Sequence, residues 1–208
     1  MKKELIQYIV EAAAGKGLTI FDIDDTMFTS GARVRVKNKN TGQVKELSPK
    51  EYNSYKLQSG EEWDYGEFKS SKIFYKTATP IGKMVTKFKA ILRNATKSGS
   101  KVILVTARAD MDDRDLFLKT FEVNGYPIKD VYIERAGNFG LDSSAKNKEI
   151  VFRKYLDTGK YKRIRLFDDH IENLYALLNL SDSYQDVDFE AYRVKKDGSI
   201  KTMKLRGR

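Results

Sequence analysis

The 208-residue chain carries 39 lysines and arginines against 29 aspartates and glutamates, a formal charge of +10, with one histidine and no cysteine. That composition excludes disulfide scaffolds, thiolate nucleophiles, cysteine-ligated zinc and multi-histidine metal centres, so any divalent cation must sit among oxygens, which favours magnesium. The length suits one α/β domain spanning 1–208 with an elaboration, and the basic excess favours a polyanionic substrate or partner.

At the start, MKKELIQYIVEAAAGKG places Leu5, Ile6, Ile9, Val10 and Ala13 on one side of an amphipathic helix. Glu4, Gln7 and Glu11 interrupt its apolar stretch and argue against a signal peptide. No apolar run reaches the ~18 residues of a membrane span, so the expectation is a cytoplasmic protein with no membrane partner.

Leu18–Ile23 (LTIFDI) reads as a buried strand. Residues 27–78, between this strand and the next helix, are too many for a loop and are expected to form a small cap or flap. Within them Arg33–Val36 and Val44–Leu47 flank an Asn40-Thr41-Gly42 turn, a hairpin signal. Ser48-Pro49 opens a short helix with Glu51 at the capping-box position. Tyr52, Tyr55, Trp63, Tyr65, Phe68, Phe74 and Tyr75 then crowd the segment, either as its own small core or as a surface on which a base could stack. Thr79-Pro80 predicts a cap and first-turn proline for a helix in which Val85, Phe88, Leu92 and Ala95 share a face and which Gly99 ends.

Val102–Thr106 is the second strand, 112–124 a helix closed by Asn124-Gly125, and Val131–Ile133 the third strand. Ser144 can cap a helix running to about Asp157, Ile164–Phe167 is the fourth strand, and a helix follows over 171–180. From Phe189 the chain predicts a strand pair around Lys196-Asp197-Gly198. Its basic end, Lys201, Lys204, Arg206 and Arg208, could track a phosphate backbone or be a solvated strand edge. The alternation implies a three-layer, Rossmann-like α/β fold: a mostly parallel sheet with helices on both faces. Ligands of such sheets bind beyond the carboxyl ends of the strands.

Polar residues collect at those ends. FDIDDT leaves Asp22, Asp24, Asp25 and Thr26 beyond the first strand, VTAR presents Thr106 and Arg108 beyond the second, and RLFDDH presents Asp168 and Asp169 beyond the fourth. Crowded carboxylates repel unless a cation neutralises them, and a magnesium ion would also polarise a phosphate. Asp22 and Asp24 project to the same side of an extended chain, so one could attack phosphorus while the other handles the proton. A hydroxyl and a guanidinium suit phosphate oxygens. Lys146 and Lys148 open a helix whose dipole disfavours them, which is tolerable facing an acidic pocket or a phosphate.

Taken singly, each element has an ordinary structural reading; their order along the chain is distinctive. Acidic strand end, threonine strand end, helical lysine and acidic strand end together resemble the haloacid dehalogenase superfamily over roughly 17–180. FDIDDT is similar to its first motif, VT to its second, Lys148 to its third and FDD to its fourth. The resemblance implies Asp22 as nucleophile and metal ligand, and Asp24 as general acid/base, contributing its backbone carbonyl to the metal. It further implies Thr106 and Arg108 as phosphate-binding groups, and Lys148 as the cation that neutralises the phosphoryl group and orients Asp22. Asp169 would be the direct metal ligand with Asp168 beside it. Dehalogenases of the superfamily lack an acid at the position of Asp24, so a phosphatase is favoured.

VTAR and Lys148-Glu149 with Phe152 resemble most closely the phosphatase domain of phage polynucleotide kinase and similar end-healing enzymes, although His170 stands where that group has arginine. Three readings of role follow. The chain could act on a nucleotide or nucleic-acid terminal phosphate, act on a small sugar or cofactor phosphate, or keep the fold as a non-catalytic binding protein.

Overall fold

The computed structural model describes residues 16–47, 51, 55–141 and 143–205. The predicted helix over Leu5–Ala13 lies outside the described residues, as does the helix opening at Ser48 apart from Glu51, which is helical.

In chain order, β1 (Lys16–Phe21) runs into a tight turn and then β2 (Phe28–Thr29). Next come β3 (Val34–Asn38), β4 (Val44–Leu47), β5 (Glu61–Asp64) and two short helices, α1 (Gly66–Lys69) and α2 (Ser71–Thr77). β6 (Thr79–Pro80) returns the chain to the main body, followed by α3 (Gly82–Ser98), β7 (Lys101–Thr106), α4 (Arg114–Val123) and β8 (Tyr132–Arg135). A 3-10 turn at Ala136–Phe139 precedes α5 (Ser144–Leu156) and β9 (Tyr161–Asp168). α6 (Ile171–Leu178), β10 (Asp188–Val194) and β11 (Ile200–Met203) complete the described chain.

The fold is mixed α/β. Six strands form one sheet in the order β11-β10-β9-β1-β7-β8, parallel throughout except for β11. β1 sits between β9 and β7 and is buried from Gly17 to Phe21, which is why it reads as an uninterrupted apolar run. Alternation along the strands divides the core between the two faces. Phe21, Leu104 and Phe167 pack with Met84 and Phe88 of α3 and with Phe117 and Phe121 of α4. Ile20, Ile103 and Leu166 pack with Val151 and Phe152 of α5 and with Leu174 and Leu177 of α6. Phe21 stacks on Phe167 at 4.7 Å between ring centres, and Phe167 on Tyr192 at 5.0 Å, so three neighbouring strands are tied by rings as well as by backbone bonds.

The segment between β2 and β6 forms its own three-stranded antiparallel sheet, β4-β3-β5. The hairpin is at the expected place, with Gly42 at φ +71° supplying the left-handed turn. The aromatic residues divide: Tyr55, Trp63 and Tyr65 contact one another on this small sheet, whereas Phe74 is fully buried against Phe28 and Phe117 of the main core. Among the described residues no helix is long and apolar enough to cross a membrane.

Two helix starts differ from expectation. Thr79-Pro80 does not open α3. These residues pair with Phe28–Thr29 as an antiparallel clasp, and the Ile81 N–H donates to the Met27 carbonyl at 2.9 Å, so tertiary pairing outweighs the local cap signal. α5 is capped by Ser143, whose hydroxyl accepts from the Lys146 N–H, while Ser144 instead donates to Asn173. Gly99 closes α3 at φ +67°, as its sequence position suggested.

Candidate active site

Sheet register brings the acidic strand ends together. Phe21 pairs with Phe167 across β1 and β9, so the next residues, Asp22 and Asp168, leave the sheet side by side. The Asp22 N–H still bonds to the Phe167 carbonyl at 2.9 Å, which fixes the Asp22 backbone to the neighbouring strand. On the other side Phe21 pairs with Leu104, placing Thr106 at the same edge.

The chain then reverses sharply. The Met27 and Phe28 N–H groups both donate to the Ile23 carbonyl, and Asp25, at φ 55°, adopts the left-handed conformation that aspartate tolerates better than most residues. Thr26 is fully buried, and its hydroxyl accepts from the Asp169 N–H at 3.1 Å, joining the two acidic ends.

Lys148 closes the arrangement. Its side chain is 1% exposed, and its ammonium donates to Asp22 at 2.6 Å and to Asp168 at 2.8 Å. Helical phase explains why it is Lys148 and not Lys146. Lys148, Val151, Phe152 and Tyr155 share the buried stripe of α5, while Lys146 is exposed. Asp168 is saturated by the protein: besides Lys148 it accepts from the His170 N–H at 2.9 Å and from the Asn173 amide at 3.0 and 3.1 Å.

Asp22, Asp168 and Asp169 each offer an oxygen, and these atoms lie within 4.8 Å of one another. Burial pushes the Asp22 carboxyl well above its usual range, and Asp168, Asp169 and Asp24 add to that effect, which Lys148 opposes without cancelling. Burial, then Asp168 and Asp25, raises Asp169 to about 7. Burial alone would lower the Lys148 ammonium, but Asp168 and Asp22 outweigh it and the net direction is up, so it stays charged. Three carboxylates against one ammonium leave two negative charges uncompensated when all are ionised. A divalent cation with a preference for hard oxygen ligands fits that donor set, with Asp22 and Asp169 as the carboxylates not saturated by protein donors.

Asp24 faces elsewhere. Its carboxylate receives a two-pronged ion pair from Arg108, Nε at 2.7 Å and Nη2 at 2.6 Å, so its side chain lies outside the three-aspartate cluster. Thr106, 1% exposed, accepts from the Arg108 N–H at 3.1 Å. A cleft of about 520 Å³ opens beside this pair, lined by Tyr65, Phe68, Leu141 and Asn147 together with Asp24 and Arg108. His170 occupies the N-cap position of α6 without capping through its side chain; its ring lies 3.1 Å from Glu172 and is half exposed.

Sequence reading did not anticipate Asn173, Thr26 or Ser30 as supports of these carboxylates. Asn173 carries a signal in retrospect, being an amide on the buried face of a short apolar helix five residues after Asp168, where an unpaired polar group would be costly. The chain matches no family model and no curated protein.

Proposed function

We propose that the chain is a magnesium-dependent phosphatase that hydrolyses phosphate monoesters through an aspartyl-phosphate on Asp22. On this reading the sheet and its helices are the three-layer Rossmann-like body of the haloacid dehalogenase superfamily, residues 27–78 are its cap, and the phosphatase domains of end-healing enzymes are the group it resembles. The observation that carries the proposal is the buried ammonium of Lys148 spanning Asp22 and Asp168 beside Asp169. A purely structural lysine has little need of two buried carboxylates and a third, half-buried one at neighbouring strand ends, whereas a site that must receive a dianion and a dication does.

In the first step an Asp22 carboxylate oxygen attacks phosphorus and the ester P–O bond breaks; Asp24 enters this step protonated, gives its proton to the departing oxygen, and becomes the carboxylate that Arg108 grips. In the second, Asp24 takes a proton from water as the water oxygen attacks phosphorus, and the bond to Asp22 breaks, releasing inorganic phosphate. Lys148 holds Asp22 in line, and Thr106 offers its hydroxyl to the phosphoryl oxygens. Asp22 and Asp169, with Asp168 beside them, would hold the magnesium ion, which supplies charge neutralisation and Lewis acidity at the phosphate.

The leaving group would occupy the cleft next to Asp24. Its aromatic and aliphatic walls suit a flat, apolar body better than a polyhydroxylated sugar, which together with the +10 charge favours a nucleotide or nucleic-acid end over a small metabolite. Hydrolysis of p-nitrophenyl phosphate with and without magnesium, comparing wild type with Asp22→Asn, tests the mechanism. Magnesium-dependent turnover abolished by the substitution supports it, and turnover that persists in Asp22→Asn removes it. For the substrate, a steep fall of kcat/KM with salt on 3′- or 5′-phosphorylated oligonucleotides is expected; a flat salt response would favour the metabolite reading.

A further inference from the structure

We propose that Arg108 is a positioning residue that clamps Asp24 and ties it to the segment between β2 and β6, and that it does not bind the transferred phosphate. The proposal rests on the reading of Asp24 as the acid/base of a phosphatase and departs from that reading's assignment of Arg108.

A guanidinium has five N–H donors in a fixed fork, and four are committed here. Nε and Nη2 donate to the two oxygens of Asp24 at 2.7 and 2.6 Å. Nη2 also donates to the Ser30 hydroxyl at 3.3 Å, and Nη1 to the Phe68 carbonyl at 2.8 Å. The Nε/Nη2 edge, which can grip a phosphate in two-pronged fashion, is already filled by a carboxylate, and the Nη1/Nη2 end has donors spent on Phe68 and Ser30. The group is also sandwiched, 4.9 Å from the Phe68 ring centre and 4.7 Å from that of Phe74.

Exposure separates the two partners: the Arg108 side chain is 1% exposed and that of Asp24 is 28%. The arginine is therefore walled in while the carboxylate it holds looks onto the cleft. To reach a phosphate, Arg108 would have to abandon a paired carboxylate in a nearly dry site, which is strongly unfavourable.

The backbone is held as firmly. The Arg108 N–H is bound to Thr106, and behind it Gly137 passes so close that an added Cβ would stand 2.2 Å from the Ala107 carbonyl oxygen. Asn138 then accepts from the Asp110 N–H at 3.0 Å. Arg108 thus lacks the freedom of a substrate-seeking arm. Its contacts join three parts of the chain, the Asp24 turn, Ser30 and the Phe68 helix, at the residue that must meet the leaving oxygen.

The test compares full-length wild type, Asp24→Asn, Arg108→Gln, Arg108→Lys and the Asp24→Asn/Arg108→Gln double variant, all with magnesium. Inorganic phosphate affinity is read by calorimetry, kcat and KM on p-nitrophenyl phosphate, and the melting temperature by circular dichroism. A clamp predicts that Arg108→Gln lowers kcat at least tenfold with KM within threefold, and that Arg108→Lys recovers part of the loss. It also predicts that adding Arg108→Gln to Asp24→Asn changes phosphate affinity and residual rate by less than threefold, because Arg108 then has nothing to position.

A tenfold or larger loss of phosphate affinity on adding Arg108→Gln to Asp24→Asn would overturn the proposal, as would multiplicative rate losses. If wild type hydrolyses no phosphate ester, the phosphatase reading fails by itself, and the clamp is judged on melting. Non-additive shifts for Asp24→Asn and Arg108→Gln sustain it, and additive shifts overturn it. Should Arg108→Gln not fold, Arg108→Lys replaces it in each comparison and is decided by the same limits.

Discussion

Replacing Asp169 by asparagine should make the metal-free protein more stable at pH 8 and reduce its loss of stability between pH 5 and 8. In the folded chain Asp169 keeps its proton up to about 7, because it is buried and faces Asp168 and Asp25, whereas an unfolded aspartate titrates near 3.8. Between those values the folded state binds the extra proton, so stability falls as pH rises through that window and levels off above it. The gap of about 3 between the two values, at 1.36 kcal/mol for each, sets the scale at about 4 kcal/mol. For a chain of this size that is a difference in melting temperature of roughly 2–4 °C for every kcal/mol.

Magnesium should oppose the loss, since it binds only the ionised site; at a hundredfold excess over Kd it adds about 2.7 kcal/mol. The assay is urea unfolding followed by circular dichroism at several pH values from 5 to 8, in EDTA and in magnesium, for wild type and Asp169→Asn. Taking the difference between the two proteins at each pH cancels the titrating groups that do not feel Asp169, and leaves Asp169 together with the relief that the substitution gives Asp22. Identical slopes in wild type and Asp169→Asn, or a magnesium effect that survives the substitution in full, would refute the reasoning.

Lys148→Met leaves Asp22 and Asp168 buried with no cation between them and should cost about 3–5 kcal/mol in EDTA, partly recovered by magnesium; urea unfolding reads it, and a loss under ~1 kcal/mol would contradict the electrostatic account. Gly137→Ala forces a Cβ into the Ala107 carbonyl oxygen at 2.2 Å and the Ala109 nitrogen at 2.7 Å, so the loop carrying Arg108 must shift. We expect about 1–3 kcal/mol of lost stability together with reduced turnover, and a melting curve and rate equal to wild type would show that the loop yields freely. Tyr126→Phe removes a buried hydroxyl that donates to the Met27 carbonyl at 2.8 Å, but that carbonyl retains the Ile81 N–H. The cost in urea unfolding should therefore be only about 1 kcal/mol, and a loss above ~3 kcal/mol would mean that the carbonyl is left without a partner.

The sheet and its acidic edge were legible because their signals are local. A strand buried on both faces must be a continuous apolar run, and a run that stops at Asp22, Thr106 or Asp168 marks where the chain leaves the sheet. The choice of Lys148 over Lys146 was also available, through the spacing of Lys148, Val151, Phe152 and Tyr155. What was not legible depends on partners far along the chain. Thr79-Pro80 carries a sound helix-start signature, yet its fate is decided by Phe28–Thr29. VTAR places Arg108 at the right edge, but which carboxylate or carbonyl it meets is set by Ser30 and Phe68, which are positioned by a segment whose fold the hairpin alone could not specify.

The clasp of β2 and β6 has an evolutionary consequence. The chain departs from the main body at Phe28–Thr29 and returns beside it at Thr79–Pro80, and a second stitch, the Arg33 N–H to the Glu67 carboxylate at 2.9 Å, closes the β3-β4-β5 sheet nearer its base. Residues beyond that stitch are rooted: Phe68 and Phe74 flank Arg108, and Ser71 donates its hydroxyl to the Asp113 carbonyl at 2.6 Å. The strands β3, β4 and β5 are therefore expected to tolerate changes of length or sequence that leave this bracket standing. Lineages could lengthen, shorten or replace these strands, changing what enters the cleft past Tyr65, while the four carboxylates and the lysine beneath keep their places.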